Sequence, residues 1–98
     1  MYPKNVSINE FSETVKEILQ NQSIESKYVK NNFNDMKNTD SFCFDFGLDS
    51  LDIAETIVKV EQKYHVSIPY EDNIDNINGL YNAFNKSIQQ MKTAKKQR

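Results

Sequence analysis

Phe46-Gly47-Leu48-Asp49-Ser50-Leu51-Asp52-Ile53-Ala54-Glu55 joins a turn to the first turns of an amphipathic helix. Gly47 can take backbone angles closed to other residues, which allows a sharp turn just before the helix. Asp49 or Ser50 can cap the helix start, and Asp52 and Glu55 place negative charge near its positive end. Ile53, Ala54, Ile57, Val60 and Tyr64 then recur at helical spacing for one buried stripe. The reading is a helix from about Ser50 to Tyr64 that leaves the Ser50 hydroxyl exposed at its mouth.

Downstream, Val66-Ser67-Ile68-Pro69 is expected to end this helix, because a residue before proline disfavours helical angles. Glu71-Asp72-Asn73-Ile74 reads as a short helical turn. Asn76 or Asn78 can cap a last helix carrying Leu80, Ala83, Phe84, Ile88 and Met91. Residues 92–98 are basic and lack apolar anchors, so a frayed or disordered tail is expected there.

Upstream, residues Ser7 to about Gln20 read as the first helix. Ser7 and Glu10 have capping-box spacing, Ile8, Phe11, Val15, Ile18 and Leu19 form the stripe, and Glu10, Glu13, Lys16 and Glu17 face water. From Asn21 to Asp49 the chain is Asn-rich and loses its period. Ile24, Tyr28, Val29 and Phe33 can form a short helical turn, while residues 31–35 and 38–40 look like loop. Phe42, Cys43, Phe44 and Phe46 are expected to anchor this long loop as an irregular packed segment, since no second strand offers a partner. Together the segments describe an all-α fold: a small antiparallel four-helix bundle of three main helices and one short one, with a long first loop. One domain spans 1–98, folded over about 5–91.

Composition narrows the function classes. A net charge of −2 gives no electrostatic case for nucleic acid. No apolar run reaches membrane-spanning length and no signal-peptide pattern opens the chain, so no membrane insertion and a cytoplasmic location are expected. Cys43 is the only cysteine. It excludes an intrachain disulfide and a multi-cysteine zinc site, and its phenylalanine neighbours suggest a buried thiol. His65, the only histidine, lies about four helical turns from Ser50, too far for a Ser–His nucleophile pair. Asp45, Asp49 and Asp52 lack the alternating register of a calcium-binding helix–loop–helix.

The sequence from Ser41 to Asp52, with Asp49-Ser50-Leu51 at its heart, resembles the acyl carrier protein family. Glu61-Gln62-Lys63-Tyr64-His65-Val66-Ser67-Ile68-Pro69 is similar to the family's helix-two ending, and the likeness runs from about Ser41 to Phe84. It implies that Ser50 is the attachment site for 4′-phosphopantetheine, taken from coenzyme A by a phosphopantetheinyl transferase. The protein would then be a non-catalytic, monomeric carrier. It would hold acyl intermediates as thioesters and meet acyl-transfer and condensing enzymes of fatty acid, polyketide or related specialised lipid biosynthesis. Asp49, Leu51, Asp52, Glu55 and Glu61 match helix-two positions that family members use to meet partners. Leu51 and Val58 fall off the buried stripe and can supply the apolar part of that patch.

The chain departs from the commonest pattern: Lys59 and Lys63 interrupt the second helix, and Gln62 is neutral where carboxylates are frequent. This suggests a specialised carrier with dedicated partners. The family can also shelter its acyl chain between helices, and Phe42, Phe44, Phe46, Tyr64, Tyr81 and Phe84 could fill such space; a well-packed core is expected for the unloaded protein. A peptidyl or other thioester carrier is one rival reading, and an unmodified helical adaptor is another.

Overall fold

The computed structural model describes residues 6–22, 32–69 and 74–96, with side chains to residue 90. Its elements are α1 (Ile8–Asn21), a single 3-10 turn at Phe33–Asp35, α2 (Ser50–Tyr64) and α3 (Ile77–Lys96), with no strand among the described residues. The all-helical expectation holds. The fourth, short helix is not confirmed: residues 70–73 lie outside the described residues, and Ile74 is buried but not helical.

α1 begins where Ser7 Oγ accepts the Glu10 N–H at 3.1 Å. Its stripe of Phe11, Val15 and Leu19 is buried, with Ile18 packed at the edge. Lys16 departs from the expected water-facing side. Its side chain is only 16% exposed and ion-pairs with Glu13 at 3.0 Å, since a long aliphatic stem can lie along apolar surface while the charge finds a partner.

α1 packs on α2, on α3 and on the 3-10 turn, so it is the element the others share. Phe11 is the meeting point. Its ring centroid lies 4.9 Å from Phe84, 5.2 Å from Tyr81 and 6.1 Å from Tyr64. The two polar tips in this cluster are satisfied at its rim: the Tyr64 hydroxyl donates to Thr14 Oγ1 at 3.0 Å and the Tyr81 hydroxyl to the Val6 carbonyl at 2.6 Å. Tyrosine can bury its ring in this way because the hydroxyl has a partner.

α2 ends at Tyr64; the next residue, His65, takes left-handed angles (φ 58°, ψ 45°), and Val66 N–H returns to the Glu61 carbonyl at 3.2 Å. A left-handed residue with this return bond terminates a helix by itself. Proline is therefore not the stop; Pro69 comes four residues later, in the extended segment that follows. At α3, Asn76 Oδ1 caps the Gly79 N–H at 2.7 Å, as one of the two expected caps would. The helical backbone continues through Lys96, past the expected fraying point at Met91.

Candidate functional site

The turn before α2 is built by short-range bonds. Ser41 Oγ accepts the Phe44 N–H at 2.8 Å, and Asp45 Oδ2 accepts the Ser41 N–H at 2.7 Å. Gly47 sits at φ 78°, its N–H reaching the Cys43 carbonyl at 2.9 Å. Leu48 N–H then reaches the Phe42 carbonyl, also at 2.9 Å. A side chain bearing Cβ would be strained at this angle, which explains the glycine.

Phe42, Phe46 and Leu48 are buried, and Phe46 stacks on Phe33 of the 3-10 turn at 5.8 Å. Two expected anchors do not serve as such. Phe44 is 77% exposed and Cys43 is exposed. The segment curls helically, with Asp45 and Gly47 N–H groups bonding back four residues, so neighbouring side chains fan round the curl and only part of the run faces the core.

Asp75, ahead of α3, holds this curl from outside. Its carbonyl accepts the Phe42 N–H at 2.7 Å, and its carboxylate accepts the Ser41 hydroxyl and, at 3.2 Å, the Cys43 N–H.

α2 starts with a reciprocal cap. Asp49 Oδ1 accepts the Asp52 N–H at 2.8 Å, and Asp52 Oδ2 accepts the Asp49 N–H at 3.2 Å. Ser50 follows as the first helical residue; it is exposed, and its hydroxyl makes no hydrogen bond to a described residue. Asp52 is buried, 8% exposed, beneath this turn. Burial pushes its carboxyl above the ordinary carboxylate value; the Asp49 N–H pulls it down, and the Asp49 and Glu55 charges push it up again.

A second tie crosses from α1. Gln22 Nε2 donates to the Asp52 carbonyl at 3.3 Å, and the Thr56 hydroxyl, at 2.9 Å from the same carbonyl, lies 3.5 Å from Gln22 Oε1. Gln22 and Thr56 are both buried, so these polar groups satisfy one another where water does not reach.

The expected site residues separate into two groups. Asp49, Ser50, Leu51, Glu55 and Val58 are exposed, with Leu51 at 65% and Val58 at 48%. Leu51, Glu55 and Val58 line a shallow groove of about 430 Å³ along α2 with Ala54, Lys59 and Gln62. Asp52 and Glu61 stand apart from this surface. Asp52 is buried in the cap, and half-buried Glu61 uses Oε2 to accept the Ile68 N–H at 2.6 Å, fastening the segment after α2.

His65 lies at the far end of α2, so the 15-residue helix, about 22 Å long at the helical rise, separates it from Ser50. Gln22, Thr56 and Asp75 were not anticipated. Thr56 lies four residues before Val60 and so on the buried arc, a signal that was available. Gln22 and Asp75 act across sequence separations of 30 and 32–34 residues, which local spacing does not report.

Residues 32–83, just over half of the chain, match the family model described as a phosphopantetheine attachment site. No solved structure matches the chain significantly. Among the described residues no helix is long and apolar enough to cross a membrane.

Proposed function

The chain belongs to the phosphopantetheine attachment site family, and on that premise we propose that it is an acyl carrier protein whose Ser50 takes the 4′-phosphopantetheine arm. Carrier domains of this family hold the arm covalently and work with a phosphopantetheinyl transferase and biosynthetic enzymes. The observation that carries the assignment to Ser50 is its position. It is an exposed hydroxyl with no hydrogen bond to a described residue, at the first residue of α2, inside the matched segment and directly behind a cap that fixes its backbone.

The residues present fit the group. The backbone N–H groups of Ser50 and Leu51 have no described acceptor, and free N–H groups at a helix start favour a phosphodiester. Once bound, the arm supplies a terminal thiol that holds an acyl group as a thioester. The chain itself presents and orients the hydroxyl. With His65 at the other end of α2, the base that takes the Ser50 proton belongs to the transferase, which makes this protein a substrate and not a catalyst.

The exposed groove on α2 supports docking. Asp49 and Glu55 offer carboxylates beside the apolar Leu51 and Val58, a combination suited to brief, salt-sensitive encounters with basic partner surfaces. Asp52 and Glu61 are used by the fold and are left out of this surface. Lys59, on the same groove, favours specialised partners over those of a strongly acidic general carrier. Fatty acid, polyketide or related lipid synthesis is the pathway class, and a cytoplasmic monomer is the form proposed, since tethering gives a high local substrate concentration without assembly.

The test is intact mass before and after incubation with coenzyme A and a broad-specificity transferase, with Ser50→Ala in parallel. The expected result is a gain of one phosphopantetheine unit that the variant lacks. No gain on folded protein with several transferases would overturn the assignment.

A further inference from the structure

Building on the carrier reading, we propose that the exposed face of α2 is read by a partner enzyme whose docking surface carries both signs of charge. That surface sets cations opposite Asp49 and Glu55 and carboxylates opposite Lys59 and Lys63.

The two ends of α2 differ because of what the fold does with its acids. Between Asn38 and Val58 the sequence holds Asp40, Asp45, Asp49, Asp52 and Glu55 and no cation. Of those at α2, Asp52 is buried in the cap, while Asp49 and Glu55 are exposed. From Lys59 onward the sequence alternates, with Glu61 between Lys59 and Lys63. The fold undoes that alternation. Glu61 is half-buried and commits Oε2 to the Ile68 N–H at 2.6 Å, whereas Lys59 and Lys63 are both exposed. The outer face of α2 therefore runs from negative at the Ser50 end to positive at the other.

Leu51, Glu55, Lys59 and Lys63 follow one another four residues apart, each about 6 Å further along the axis. Glu55 and Lys59 have the spacing and order that favour pairing within a helix, yet no ion pair joins them among the described residues. Both line the shallow groove with Leu51 and Val58, and Lys63 stands one turn beyond Lys59, exposed at its edge.

The kind of partner follows from this order. A uniformly basic surface would meet Asp49 and Glu55 but set cations against Lys59 and Lys63, and like charges facing across an interface exclude that partner. A two-signed surface satisfies both ends. It also fixes direction, because docking end for end would set like against like at each end. Ser50 lies at the acidic end, so that direction carries the arm toward the partner's active site. A second copy, lying antiparallel, also offers both signs. Leu51 and Val58 are the large apolar side chains this face exposes, too few for a stable self-pair, whose interface buries upward of about 1,000 Å². Lys59 and Lys63 are accordingly specificity-determining residues that act against general partners.

The test compares wild type with Lys59→Glu and Lys63→Glu combined, both first converted to the arm-bearing form and checked by intact mass. Each is offered to an acyltransferase of general fatty acid synthesis that has a basic carrier-docking surface. Each is also offered to the same enzyme with the two docking cations farthest from its active-site entrance replaced by glutamate. Wild type is expected to favour the two-signed enzyme at least about tenfold in kcat/KM, and the variant to favour the parent enzyme by a similar factor. The difference should lie in KM and shrink at about 0.5 M salt, where exposed charges are screened. Lys59→Gln with Lys63→Gln, which removes charge without reversing it, should fall between. Equal use of both enzymes by wild type, an unchanged preference in the glutamate variant, or a preference carried by kcat alone would overturn the proposal. A wild-type dimer in sedimentation that the glutamate variant lacks would overturn it in favour of a second copy. Absence of the Ser50 mass gain in wild type would instead fell the carrier reading, and the two-signed partner with it.

Discussion

Removing the Asp49 carboxylate should weaken α2 at the turn that presents Ser50. In Asp49→Ala the Asp52 N–H loses its acceptor at 2.8 Å, while the Asp52 carboxylate keeps its bond from the residue-49 N–H at 3.2 Å, because that donor belongs to the backbone. Loss of an N-cap acceptor costs about 0.5–2 kcal/mol, typically near 1. An offset of about 0.2–0.5 kcal/mol comes from relieving repulsion between two carboxylates one helical turn apart. The net loss is about 0.5–1 kcal/mol at the centre of the range. For a domain of this size each kcal/mol lowers the melting temperature by about 4–8 °C. Thermal unfolding of unmodified protein followed by circular dichroism reads this directly, and Asp49→Asn, which keeps an acceptor oxygen, should lose less than half as much. If alanine melts with wild type, or asparagine falls as far as alanine, the carboxylate is not the cap that orders this turn.

Three further outcomes follow from the fold. Phe11→Ala removes the ring shared by Tyr64, Tyr81 and Phe84 and should cost about 3–5 kcal/mol in urea unfolding, while Phe44→Ser at an exposed position should change stability by less than about 0.5 kcal/mol. His65→Gly relieves a left-handed angle of 58° and should stabilise the protein by about 1 kcal/mol; unchanged or lower stability would show that the His65 side chain earns its place by another contact. Asp52→Asn tests the buried carboxyl: a raised folded pKa means that stability is fully present below the unfolded value and is lost as pH rises through the folded one. The variant should therefore gain on wild type as pH rises from the ordinary carboxylate range through the raised folded value, and a gap that is constant with pH would refute the burial argument.

The three main helices were legible because their stripes are local. Phe11-Val15-Leu19 and Ile53-Ile57-Val60-Tyr64 recur at helical spacing, and the fold places both runs in the core. The bounds of α2 were readable for the same reason. The device that stops it was not, since nothing in the spacing marks His65 as the residue that turns left-handed. Ser50 stood out by its position after glycine and aspartate, but the fate of the nearby acids did not. Whether Asp52 faces solvent depends on its carboxylate turning back to the Asp49 N–H, and whether Glu61 is available depends on Ile68 folding back to it. Cys43 and Phe44 were misjudged because apolar identity alone does not say which side of a helical curl meets the core.

Gln22 also bears on how much the chain can vary. Its amide meets Asp52 across the core, and two residues earlier the Gln20 amide meets Asn34 Oδ1. The chain between Gln22 and Asn32 thus joins two points held by side chains outside it. Loop-closure entropy grows only logarithmically, so doubling the length of a connection costs about 0.6 kcal/mol. Insertions between those points should therefore cost little, while α1 stays tied to the first turn of α2 by the Gln22 side chain.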